Sequence, residues 1–243
     1  MKNYPKLDQI DSSEHIRLVK QVFQTIPKRY DFLNHFLSLW QDVLWRRFTI
    51  KQTGVTGKKR LLDVAIGTGD LALYARKENP DLQVSGLDFS PEMLALCDRK
   101  IKGKGLSDRI CLIRGDALAL PFPDHCFDVL TIGFGIRNIP DKPGALKEMQ
   151  RVVRSGGRVL ILEMGMPASR IFKFLYGFYL RYFMPFIARL FSPNPEAYDY
   201  LAESIRHFPT PQDFQALMHQ AGLKNLKIHT LSFGITYLFI AEK

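Results

Sequence analysis

A chain of 243 residues with 46% hydrophobic side chains suits one large domain and is too apolar to be disordered. Its net charge of +10 attracts nucleic acid, an anionic membrane or an anionic small molecule, and by itself chooses none of them. Three scattered cysteines without a CxxC, six histidines without a ligand spacing such as HExxH, and no signal peptide predict a reducing, cytoplasmic setting and no metal site.

Residues 1 to about 15 are polar and read as loose. Residues 15–50 carry apolar side chains at helical spacing, interrupted by Pro27, which predicts two or three helices. From residue 60 the texture changes. Short apolar runs at 60–66, 83–89, 110–116, 127–134 and 157–164 alternate with helical stretches, two of which open with Pro91 and Pro143. That alternation predicts a parallel sheet with helices on both faces. Residues 171–191, "IFKFLYGFYLRYFMPFIARLF", hold Lys173, Arg181, Arg189 and Pro185, too many charges for a membrane span. They read as an amphipathic cap. Two more helices follow, the second capped by Thr210 and ended by Gly222, and then two strands, 224–231 and 235–243.

The stretch "LLDVAIGTGDLA" is a strand, a tight turn and a helix start. Gly67 and Gly69 allow the sharp turn and a close ligand, and the helix N-terminus offers free N–H groups. About 20 residues on, Asp88 ends the second strand, where a carboxylate can accept both hydroxyls of a ribose. A dinucleotide fingerprint fits the same glycines. Asp63, inside the end of the first strand, favours a cationic ligand over a pyrophosphate. Asp116, at the end of the third strand, can hold the exocyclic amine of adenine. Three acids at three strand ends suit S-adenosylmethionine. The plainer reading makes them caps and turn formers.

With these residues in view, the chain resembles the class I S-adenosylmethionine-dependent methyltransferases, and within them the ubiquinone/menaquinone C-methyltransferases. Four stretches carry the resemblance: "YDFLNHFLSLWQDVLW" (30–45), "FGIRNIPD" (134–141), "RVVRSGGRVLILEMG" (151–165) and "YLAESIRHFP" (200–209). Departures from the family pattern include Leu33, Asp42, Ala65, Ile66, Gly133, Arg154, Ser155 and Gly165. The resemblance implies a single domain over 1–243 with a Rossmann-like, seven-stranded, mostly parallel sheet and a C-terminal antiparallel strand. Residues of about 15–50 would form a helical cover and about 168–206 a substrate cap. It implies Thr68, Asp88, Asp116 and Ala117 as cofactor contacts, beside Asp63, Gly67 and Gly69. The reaction implied is methyl transfer to a ring carbon of a reduced, polyprenylated quinone.

Arg137 and Asn138 directly follow the fourth strand, at the ligand-binding edge of such a sheet. They are expected to hold the ring oxygens, Arg137 stabilising a phenolate, with Gly133 and Gly135 leaving room for a flat ring. The alternative pairs Arg137 with an acid such as Asp141 and makes Asn138 a helix cap. No side chain announces itself as the base; Tyr30, Asp31 and His35 are options that packing and capping also explain. The basic aromatic segment suits an isoprenoid tail or the anionic inner face of a membrane. Nucleic acid is not expected as a partner, since no separate RNA module or Asn/Asp-Pro-Pro-Tyr motif is present. An RNA methyltransferase and a non-catalytic cofactor-binding protein are the competing functions. Ring type, tail length and oligomeric state, a homodimer included, stay open.

Overall fold

The computed structural model describes residues 11–25, 30–191 and 194–243. The first ten residues and Pro27, read above as a loose segment and a helix break, lie outside these. Three helices open the chain: α1 (Ser12–Thr25), α2 (Tyr30–Leu37) and α3 (Gln41–Thr53). The alternating part follows as β1 (Arg60–Val64), α4 (Asp70–Glu78), β2 (Gln83–Asp88), α5 (Pro91–Gly103), β3 (Ile110–Arg114), β4 (Phe127–Gly133), α6 (Lys142–Val152) and β5 (Val153–Met164). Then come α7 (Arg170–Phe178), a π-helical turn (Tyr179–Phe183), α8 (Met184–Phe191), α9 (Glu196–Arg206), α10 (Pro211–Gln220), β6 (Lys224–Leu231) and β7 (Thr236–Glu242).

Three of the helices begin where a side chain satisfies a free amide. Ser90 caps α5 through the Met93 N–H, Asp141 caps α6 through Gly144, and Thr210 caps α10 through Asp213. The seven strands lie in the order β3-β2-β1-β4-β5-β7-β6. β1 to β5 pair in parallel, and β7 runs antiparallel to both β5 and β6. The strand order reverses direction between β1 and β4, which makes their carboxyl ends the expected ligand crevice.

Alternation along the strands feeds two cores. Leu62, Val64, Leu130 and Ile132 share one with Leu146 and Met149 of α6 and Phe214 and Met218 of α10. Leu61, Val129, Leu160 and Leu162 share the other with α3, α4 and α5, through Trp45, Ile50, Ala72, Ala75 and Cys97. β5 starts four residues earlier than its pattern predicts. Gly156, at φ +71°, and a register shift between Phe127 and Val129 carry a bulge inside the strand instead of a turn before it.

A third core lies above the sheet. Leu18, Val19 and Val22 of α1 and Leu33 of α2 pack with Tyr176, Leu180, Met184, Ala188 and Ile205 of the later insert. α1, α2 and the insert are therefore one roof, while α3 packs against the sheet. Leu33, completely buried, contributes roughly 2 kcal/mol to its cohesion. Among the described residues no helix is long and apolar enough to cross a membrane.

Candidate active site

Beneath the roof, at the carboxyl ends of β1, β2 and β4, sits a cavity of about 840 Å³. That is the size range of small-molecule and cofactor sites. Its lining takes in Asp63, Gly67, Thr68, Asp88, Asp116, Ala117, Arg137 and Asn138, all but one of the residues expected to hold cofactor or ring, and none of the base options Tyr30, Asp31 and His35. The exception, Gly69, forms the turn beneath. Its φ of +89°, with +57° at Gly67 and +51° at Ala65, bends the chain sharply from β1 into α4. A Cβ on Gly69 would stand 2.5 Å from Cys97 Sγ, so only glycine lets α4 approach α5 this closely.

Asp63 is buried, with Oδ1 accepting the Thr131 hydroxyl at 2.8 Å. Its Oδ2 has no hydrogen-bond partner among the described residues. Burial pushes its carboxyl up to about 7 against the pull of Thr131, the Ala72 amide and the Arg46 charge, while the Asp88 charge adds to the rise. Asp88 is equally enclosed. Its two oxygens accept the Gly67 N–H at 2.8 Å and the Ser90 N–H at 2.9 Å. Burial raises it too, against these amides. A carboxylate has about four acceptor sites, so two remain for hydroxyls. Asp116 is exposed and takes the Leu118 N–H at 2.9 Å, which combines the turn-forming reading with a free oxygen at the cavity edge.

The Thr68 hydroxyl, expected to touch a cofactor, donates to Asp31 Oδ1 of α2 at 2.6 Å. Lys100 of α5 joins Asp31 to Asp70 of α4, at 2.5 and 3.0 Å. Asp31 thus ties the roof to the glycine turn. His35 is occupied as well, with Nδ1 2.7 Å from Asp42 Oδ2. Asp42 also accepts from Ser38 Oγ at 2.8 Å and from Arg46. The side chain of Tyr30 lies outside the described residues.

Arg137 stands in a 3-10 turn, Ile136–Asn138, just past β4. It is buried against Glu163 at the end of β5. Nη1 donates to Glu163 Oε1 and to the Phe134 carbonyl, each at 2.6 Å, and the Arg137 N–H reaches Glu163 Oε2 at 3.1 Å. The alternative partner, Asp141, instead caps α6. Asn138 Oδ1 accepts the Tyr200 hydroxyl at 2.9 Å, and Tyr200 lies 3.1 Å from His15 Nε2. Gly133 and Gly135 do not open space for a ring. A Cβ on Gly133 would press on Leu71 at 2.5 Å, and one on Gly135 on the Ala65 Cβ at 2.7 Å, so these glycines let the β4 exit close on the first turn.

Glu163, Arg46 and Tyr200 also belong to this site, and the sequence reading gave them no role. For Glu163 a signal existed: an acid in the apolar run "VLILEM" must meet a cation when the strand is buried.

The family model described as ubiE/COQ5 methyltransferase matches residues 9–243. The ubiquinone/menaquinone biosynthesis C-methyltransferase UbiE of Geotalea uraniireducens is 42% identical over 93% of this chain and 96% of that protein. The demethylmenaquinone methyltransferase of Thermus thermophilus is 41% identical over 91% of this chain and 100% of that protein. Among solved structures, phosphoethanolamine N-methyltransferase 2 of Haemonchus contortus, in complex with S-adenosyl-L-methionine, superposes with a TM-score of 0.62 at 18% identity. The match spans 84% of this chain and 52% of that one. An S-adenosyl-L-methionine-dependent methyltransferase structure from Methanococcus maripaludis gives 0.60 at 20% identity, over 100% and 97%. These two likenesses speak for the fold alone.

Proposed function

Because the chain belongs to the ubiE/COQ5 methyltransferase family, we propose that it moves a methyl group from S-adenosylmethionine to a ring carbon of a reduced polyprenylated quinone. Demethylmenaquinol is the first substrate to test and a ubiquinone-pathway benzoquinol the second. The observation that carries this reading is one continuous cavity with two kinds of wall. Asp63, Asp88 and Asp116 line one part; Leu175, Tyr176, Tyr179, Leu180 and Met184 line another, suited to an isoprenoid-bearing ring.

The residues fit the cofactor. A buried carboxylate oxygen without a partner, Asp63 Oδ2, is what an ammonium group would satisfy. Asp88 would take the ribose hydroxyls and Asp116 with the Ala117 backbone the adenine. When bound, S-adenosylmethionine supplies a methyl group on a positive sulfur, an electrophile that a ring carbon can attack.

The chain's own groups would prepare that carbon. It becomes nucleophilic when the adjacent hydroxyl gives its proton to solvent water as the ring enters. The Arg137 guanidinium on the cavity wall stabilises the resulting oxyanion, and Glu163 holds it in place from both its backbone and its side chain. Once the carbon has taken the methyl group and S-adenosylhomocysteine is left, that carbon loses its own hydrogen as a proton and the ring oxygen regains one, which restores the aromatic quinol. Burial raises the Tyr200 hydroxyl well above its ordinary value, so it stays a donor. Since Asn138 Oδ1 is occupied by that donor, the Asn138 amide NH₂ is the group left for a second ring oxygen. The roof excludes water and fixes the approach of ring to methyl.

Substrate encounter is read from the surface of the insert. Ile171, Phe174, Phe178, Phe183 and Phe186 are exposed there, beside Arg170, Lys173, Arg181 and Arg189. Exposed apolar area of this extent marks a docking surface. An anionic membrane at its cytoplasmic face matches both the rings and the charges. A homodimer would cover the same face, and sedimentation without lipid separates the two. The deciding experiment for the activity uses pure protein, methyl-labelled S-adenosylmethionine and a reduced demethylmenaquinone analogue. Label on a ring carbon by mass spectrometry supports the proposal; label on oxygen, or none, removes it.

A further inference from the structure

Arg46 lines the same cavity as Asp63. It projects from α3, the helix that packs on the sheet beside α4, and its side chain is 12% exposed. Its guanidinium sits over the Phe134 ring, 5.0 Å from the centroid, which holds the flat group in one plane. Of its five N–H donors only one nitrogen, Nη1, has an acceptor among the described residues, Asp42 Oδ2. Asp42 is itself shared with His35 and Ser38, so it does not belong to Arg46 alone.

Arg46 and Asp63 feel each other's charge, but no ion pair joins them among the described residues. The same holds for Arg46 and Asp70, which pairs with Lys100. Two opposite charges facing one cavity without closing on each other leave a gap with a positive and a negative wall. The other cations of the lining do not serve this gap. Arg137 is held by Glu163, Arg114 ends β3 at the far edge of the sheet, and Lys20 sits on α1.

Resting on the cofactor reading above, we propose that this gap receives the α-amino-acid end of the cofactor, the carboxylate on Arg46 and the ammonium on Asp63. A zwitterion needs both signs within a few ångströms, and a planar guanidinium offers a carboxylate two parallel N–H bonds. The consequence is structural as well as chemical. Asp63 belongs to β1 and Arg46 to α3, so the cofactor's amino-acid end bridges a strand and the helix packed beside it. Arg46 is a binding residue contributed by α3.

The test is equilibrium binding, read by calorimetry without any turnover. Three ligands are compared: S-adenosylhomocysteine, which has both charged groups; its decarboxylated analogue, which keeps the amine; and 5′-methylthioadenosine, which has neither. Arg46→Gln should weaken S-adenosylhomocysteine tenfold to a hundredfold, the range expected for a lost charge-assisted pair, and change the other two less than threefold. Arg46→Lys should fall between and serves if the glutamine variant does not fold. Asp63→Asn should weaken the first two ligands and spare the third. Equal losses of all three ligands in the Arg46 variants, or no loss of S-adenosylhomocysteine, would overturn the assignment. A wild-type protein that binds none of the three would remove the cofactor reading itself.

Discussion

Asp63→Asn is the substitution for which the structure gives the most explicit numbers. Burial lifts the Asp63 carboxyl from 3.8 in the unfolded chain to about 7 in the fold. A group raised in this way favours the folded state fully below pH 4, and that advantage is lost as pH rises toward 7. At about 1.4 kcal/mol per pH decade, the loss is up to about 4 kcal/mol. Asparagine keeps the acceptor for Thr131 but cannot ionise. It leaves a buried NH₂ to satisfy, which costs about 1–3 kcal/mol at every pH. The stability difference, variant minus wild type, should therefore grow by about 2–3 kcal/mol between pH 5 and pH 8, measured by urea unfolding without cofactor. At pH 8 the variant should be at least as stable as wild type and yet bind S-adenosylhomocysteine at least tenfold more weakly. Groups that titrate in both proteins cancel in the difference. A difference that stays flat with pH, or a variant with unchanged affinity, would refute both the buried charge and its use.

Three further outcomes follow from other parts of the site. Asp88→Ala should weaken S-adenosylmethionine by about 2 kcal/mol through loss of a charge-accepted hydroxyl pair; unchanged affinity by calorimetry would mean that the ribose is held elsewhere. Arg137→Lys should lose most single-turnover methylation while keeping cofactor affinity, because lysine keeps the charge but not the planar group that can hold Glu163 through Nη1 and present further donors to a ring oxygen. A variant that melts early yet methylates normally would leave Arg137 with a structural role only. Charge reversal at Arg170, Lys173 and Arg181, all exposed, should reduce binding to anionic liposomes, as should added salt; equal binding to anionic and neutral vesicles would refute the electrostatic part.

The sheet was legible because its signals are local. Each strand is an apolar run closed by a glycine, an acid or a cap, and each intervening helix opens with its own N-cap, as at Ser90 and Asp141. The acids at strand ends were legible for the same reason. The roof was not. Leu33 and Met184 are each apolar within an amphipathic helix, and nothing in either segment says that the two meet. The partner of Arg137 was also out of reach. Choosing between Asp141, four residues away, and Glu163, on the next strand, depends on the register that sets Gly133 beside Leu162. Arg46 and Arg47 are adjacent and alike in sequence. Only the rotation of α3 sends Arg46 to Asp42 and Phe134 in the cavity wall, and Arg47 to Tyr74 outside it.

That rotation bears on how the site divides its charges. The sheet contributes Asp63, Asp88 and, at its edge, Asp116, and the Asp63 and Asp88 charges already raise each other's difficulty in ionising. α3 contributes Arg46, whose charge opposes that rise. The roof contributes Asp31, on the Thr68 hydroxyl, and Tyr200, on the Asn138 amide. Thr68 and Asn138, at two sheet exits, are thus fixed by roof residues, while Arg137 is fixed by Glu163 of the sheet. A roof held together by an apolar core, with single polar contacts to the sheet, can change its fit over the cavity without disturbing the two cores below. The sheet acids alone would favour any adenosine cation; on the assignment proposed above Arg46 of α3 would complete the amino-acid end, and the roof would aim the ring.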